Sequence, residues 1–108
     1  MTVLELMSKT GLCAASLPDP EKEVTSAYIG DLLSWVMGKA KSGDAWITIM
    51  SNKNILAVAT LTDCACVILA EGVTPDDGVS ELALEKGINL LLSDKSAYAV
   101  ALDLSECL

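Results

Sequence analysis

The chain has 108 residues, 52% of them hydrophobic, and carries 7 basic against 15 acidic side chains, a formal charge of −8. That length suits one domain with one core, and the lack of Phe, with only two Trp and two Tyr, makes the core aliphatic. Every base is Lys, so there is no Arg fork for phosphate, no His as general base or metal ligand, and no basic patch for nucleic acid or an anionic membrane.

In chain order, TVLELMSK (2–9) predicts a short helix that Gly11 stops, and LCAAS (12–16) a short strand. LPDPEKE (17–23) is the most turn-like segment, with two prolines and a charge cluster. VTSAYI (24–29) predicts a strand. Gly30-Asp31 opens a helix with Asp31 as N-cap, and Leu32, Leu33, Val36, Met37 and Ala40 fall on one apolar stripe. Trp35 lies off that stripe, as an exposed residue at a dimer surface would, whereas Trp46 reads as core.

AWITIM (45–50) is apolar without alternation, as in a strand covered on both faces. KNILAVATLT (53–62) suits either strand or helix by propensity. The helix is preferred, because Ser51-Asn52 would cap it and a crossover is needed before the next strand, CVILA (66–70). Thr74-Pro75-Asp76-Asp77 reads as the start of a helix running to Lys86, with the two acids as a first-turn pair. INLLL (88–92) is a further strand, and Ser93-Asp94 caps a last helix through about Glu106. The pattern predicts one α/β domain over 1–108, with a largely parallel sheet of four or five strands and helices on both faces.

No stretch approaches about 18 consecutive apolar residues, and the start lacks a basic region leading into an apolar run, so the expectation is a soluble cytoplasmic protein. Cys13, Cys64, Cys66 and Cys107 are expected as reduced, largely buried thiols. Cys64-Ala-Cys66 is a CxC, and without His a zinc site would need all four thiolates or a carboxylate, so no metal or cofactor is expected. Gly38-Lys39 lacks the glycine spacing of a P-loop, no GxGxxG occurs, and no Ser has a base partner.

In a parallel sheet, ligands bind outside the carboxyl ends of the strands. The residues expected there are Ser26, Tyr28, Gly30, Asp31, Ser51, Asn52, Lys53, Ser93, Asp94 and Lys95. Helix N-termini present free N–H groups at such tips, and Lys53 and Lys95 would add charge for an anion.

The segments 24–72 and 74–93, marked by "GDLLSWVM", "GDAWITI", "NILAVATL" and "KGINLLLS…SAYAVA", resemble the DRTGG domain in sequence order. DRTGG domains occur alone, between CBS domains in regulated pyrophosphatases, and in phosphotransacetylase-type proteins. They are related to the N-terminal, non-catalytic domain of HPr kinase/phosphorylase. Kinase activity does not carry over, since this chain has no P-loop. Ser26-Ala27 replace glycines usual after the early valine, and Asn52-Lys53 stand where relatives often show a His.

The resemblance implies an α/β fold and a non-catalytic, self-associating regulatory module. Together with the tip residues it leads to the expectation of a homodimeric sensor of a nucleotide or other anionic metabolite. The alternatives are an interaction or assembly subunit that binds a protein partner and no small ligand, or a thiol-dependent enzyme using Cys64 or Cys66.

Overall fold

The apolar runs become strands, and from the second strand onward each gap between them is filled by a helix. A computed structural model describes all 108 residues: α1 (Val3–Thr10), β1 (Cys13–Ser16), β2 (Ser26–Ile29), α2 (Leu33–Lys39), β3 (Asp44–Thr48), α3 (Asn54–Thr62), β4 (Cys66–Leu69), α4 (Val79–Lys86), β5 (Leu90–Leu92) and α5 (Ala97–Ser105). One five-stranded sheet runs in the order β1-β5-β4-β3-β2. β2 to β5 are parallel, and β1 is antiparallel to β5.

The central strands are buried on both faces, which explains their unbroken apolar sequence. On one face α2, α3 and α4 pack Val36, Ile55, Leu56, Val79 and Ala83 against Trp46, Val67, Leu69 and Leu90. On the other, α1 and α5 pack Val3, Leu6, Val100 and Leu104 against Ile47, Cys66, Ile68 and Leu91. Residues 54–62 are indeed helical: α3 buries five of its residues, Ile55, Leu56, Val58, Ala59 and Thr62. α1 carries a full capping box, with Glu5 N donating to Thr2 Oγ1 and Thr2 N to Glu5 Oε1. These bonds from Thr2 hold the Glu5 carboxyl below its ordinary range.

Several expected helix starts are corrected. Asp31 is not the cap of α2. The N-cap is Leu32, and Asp31 Oδ1 instead accepts from Thr48 Oγ1 (2.8 Å) and Ile49 N (3.0 Å), tying the end of β2 to that of β3. Thr74 to Asp77 are not helical, because Gly78 at φ 83° sets the start of α4 at Val79. Asp76 is a bridge rather than a helix-dipole partner: its carboxylate accepts from Ser51 Oγ and its N–H donates to Ser51 O. Of Ser51-Asn52, expected together as the cap of α3, only Asn52 bonds to its first turn, and the Ser51 hydroxyl goes to Asp76. The N-cap is Lys53, and Asn52 Oδ1 accepts from Asn54 N in a local turn. α5 is capped by Ser96, whose hydroxyl accepts from Ala99 N, and not by Ser93-Asp94.

The expected α2 stripe also breaks up. Only Val36 is buried, while Leu32 is 63% and Met37 45% exposed. Trp35 is 61% exposed and Trp46 fully buried, as their positions suggested. Cys13 is exposed and Cys107 half-buried, so the expectation of largely buried thiols holds only for Cys64 and Cys66. No helix is long and apolar enough to cross a membrane.

Candidate functional site at the strand tips

The four parallel strands bring the segments after Ile29, Thr48, Leu69 and Leu92 to one rim. After β2, β3 and β4 the chain turns to the same face, forming α2, α3 and α4. After β5 it crosses to the opposite face, forming α5. The change of face therefore falls between the β4 and β5 tips, the place where open α/β sheets form a ligand crevice.

Here the crevice is closed by backbone bonds. Glu71 N donates to Lys95 O (2.8 Å), Gly72 N to Ser93 O (2.9 Å) and Ser93 N to Leu69 O (2.9 Å). The pairing requires Glu71 and Gly72 to adopt φ 63° and 71°, a region glycine enters freely and glutamate does not.

The opening lies on the outer side of β5. The antiparallel pairing sets Cys13 opposite Leu92, and the end of α1 stands beside them. A cleft of about 380 Å³ results, lined by Thr10, Gly11, Cys13, Leu92, Ser93, Asp94 and Lys95. Ser93 Oγ accepts from Lys95 N, which leaves its own O–H free to donate. Lys95 Nζ pairs with Asp103 Oδ2 at 2.7 Å, both groups being partly exposed. Asp94 faces solvent.

The ten expected residues do not form one cluster. Ser26 starts β2 opposite Asp44, at the amino end of the parallel strands and thus on the far side of the sheet from the rim. Three residue steps separate it from the end of β2 at Ile29, about 10 Å of extended strand. Tyr28 and Gly30 form a tight corner. A Cβ on Gly30 would stand 2.9 Å from the Tyr28 ring, and the Gly30 carbonyl accepts from Trp46 Nε1. Asp31, Ser51 and Asn52 are occupied by the bonds described above. Lys53 is exposed and makes no ion pair.

Lys53 and Lys95 do not converge. Their strands, β3 and β5, are separated by β4, about 10 Å apart at ordinary strand spacing, and they lead into helices on opposite faces. Only Ser93, Asp94 and Lys95 line the cleft. The sequence reading missed Thr10, Gly11 and Cys13, which come from the start of the chain. The only local signal was Gly11 as a helix stop.

The thiols differ from one another. Burial pushes the Cys64 thiol up to about 11. Burial and then the neighbouring Cys64 push Cys66 up as well. Neither is a thiolate near neutral pH, which removes the nucleophilic form a thiol enzyme needs from these two positions. No three Cys, Asp or Glu side chains converge as a metal would require.

The DRTGG domain pattern matches residues 18–107. Among solved structures, the CBS and DRTGG domains of the regulatory region of Clostridium perfringens pyrophosphatase, complexed with the activator diadenosine tetraphosphate, share the fold. The TM-score is 0.74 at 15% identity, over 99% of this chain and 47% of that one. The chain thus spans about half the length of that regulatory region. No curated protein sequence matches it. By a match over most of its length, the chain belongs to the DRTGG domain family.

Proposed function

We propose that this chain is a non-catalytic regulatory module of the cytoplasm, acting as a homodimer, that senses a nucleotide or another phosphate-bearing metabolite at its strand-tip rim. The observation that carries the reading is the cleft beside the β5 tip. It opens at the rim, next to the change of helix face, and offers a free hydroxyl at Ser93 and an ammonium at Lys95 that can leave Asp103 for a ligand. A dinucleotide is the activator of the pyrophosphatase regulatory region whose fold this chain shares.

A thermal-shift panel of mono-, di- and dinucleotides, inorganic phosphate and sugar phosphates tests it. A ligand at about 100 times its Kd adds about 2.7 kcal/mol, which raises the Tm of a domain this size by about 10 °C or more. The reading expects a selective shift that Lys95→Ala reduces and Lys53→Ala does not. A flat panel overturns it.

The second reading is an interaction or assembly subunit without a small ligand. Its support is the exposed apolar pair formed by Leu32, the N-cap of α2, and Trp35 in its first turn, at 63% and 61% exposure. A flat panel together with a recovered stoichiometric protein complex would favour it.

A further inference from the structure

The sheet has two open edges, and they are built differently. β1 is interrupted by a bulge between Ala14 and Ser16, a common way of keeping an edge from pairing. β2 (Ser-Ala-Tyr-Ile) pairs in regular register with β3 and carries no bulge, no proline and no charge. Such an edge is a template for another strand.

The backbone polarity of that edge is fixed by β3. Asp44 O and Thr48 O accept from Ala65 N and Ala70 N on the β4 side, whereas Gly43 O and Ile47 O accept from Thr25 N and Gly30 N on the β2 side. In the register Ala27↔Ala45 and Tyr28↔Trp46, Ser26 and Tyr28 therefore bond inward to β3. Ala27 and Ile29 turn their N–H and C=O groups outward.

Side chains alternate as well. Tyr28 packs on the α2–α4 face, so Ala27 and Ile29 lie on the α5 face. There Ala27 borders a shallow groove of about 200 Å³, with Ala101, Leu104 and Leu108 among its walls and no charged side chain in its lining. Ile29, two residues along, is 49% exposed.

We propose that the open edge of β2 pairs antiparallel with β2 of a second copy, with Tyr28 on the two-fold axis. This names the surface used by the homodimer and rests on that part of the proposed function. Directly opposed residues in an antiparallel pair share a face, so a two-fold axis passes through a residue and not between two, and overlap of most of the four-residue strand centres it on Ala27 or Tyr28. With Tyr28 on the axis, Ala27 of each copy faces Ile29 of the other, and all the outward groups of both residues are bonded. With Ala27 on the axis, Ile29 would face Thr25, whose N–H is already given to Gly43.

The Tyr28 register also seats each Ile29 over the other copy's Ala27 and its groove. Projection and recess sit on the same strand two residues apart, so the surface is complementary to itself. The groove lining also carries no charged side chain, on a chain of charge −8, so two copies can meet here without opposing their acidic side chains.

Sedimentation over a concentration series reads the assembly, and disulfide trapping reads the register. The expected wild-type particle has twice the 11.3 kDa chain mass. Ile29→Lys, folded by circular dichroism because the site is half exposed, should weaken dimerisation at least about tenfold, a loss of roughly 1.4 kcal/mol. In a Cys13→Ser background, Tyr28→Cys should form an intermolecular disulfide, since opposed residues of this type have Cα atoms about 4.5 Å apart. Ala27→Cys should not.

A wild-type protein that stays monomeric overturns both the homodimer and this interface, and leaves the edge for an extended peptide of another protein. A dimer indifferent to Ile29→Lys overturns the interface alone. Trapping at Ala27→Cys and not at Tyr28→Cys overturns the register.

Discussion

Asn89 should be among the most costly polar positions to mutate, although nothing in its sequence context marks it. It is 1% exposed, just before β5. Its Oδ1 accepts from Asp19 N at 2.9 Å, and its Nδ2 donates to Asp19 O at 2.7 Å and Ala65 O at 3.0 Å. One side chain thus pins the proline-flanked turn 18–20 to the amino end of the sheet. Asn89→Ala removes all three bonds. Asp19 is exposed and its backbone groups can recover water, but Ala65 is 1% exposed and its carbonyl cannot. With about 1 kcal/mol for each bond and a stranded acceptor at the upper end of that range, the loss is about 2–3 kcal/mol. At roughly 4–8 °C per kcal/mol for a domain near 100 residues, Tm should fall by about 10–20 °C. Urea unfolding with an unchanged m-value and scanning calorimetry measure it. A loss below about 1 kcal/mol would refute the assignment of Asn89 as the tether.

Asp31→Ala should cost about 1–2 kcal/mol in urea, because it unpairs the Thr48 hydroxyl and Ile49 N–H at the β2–β3 tips; an unchanged midpoint would mean water replaces it. Lys95→Ala should alter stability by less than about 1 kcal/mol, since Lys95 and Asp103 side chains are 55% and 33% exposed, so its effect on the ligand panel reports binding rather than folding. Cys13 should react with a thiol reagent in the native state, and Cys64 and Cys66 only after denaturation. The buried Cys64 thiol sits at about 11 against an ordinary 9.0, so the folded state holds its proton longer than the unfolded chain. Its contribution is complete below pH 9 and lost as pH rises towards 11. A Cys64→Ala variant should therefore show a flatter decline of stability over that window, and identical alkaline profiles would contradict the assignment.

The parts of the fold legible in the sequence are those set by burial. AWITIM and CVILA read as two-sided strands because they are, and 53–62 could be assigned to a helix because parallel neighbours require a crossover. What local pattern could not reach is the chemistry of the tips. Asp31, Ser51 and Asp76 have the composition of caps, yet their partners are 17 and 25 residues away, and a long-range bond across the rim displaces the local one. The cleft escaped for a related reason: Thr10, Gly11 and Cys13 meet Ser93 only because β1 runs antiparallel beside β5. The same topology decides between the two lysines. Each follows a strand tip and looks alike in sequence, but the helix after Lys53 returns to one face and the helix after Lys95 to the other. A single small anion therefore cannot take both, and the one bordering a cleft is Lys95. If a ligand binds at this rim, its affinity should follow Lys95 and Ser93 and ignore Lys53.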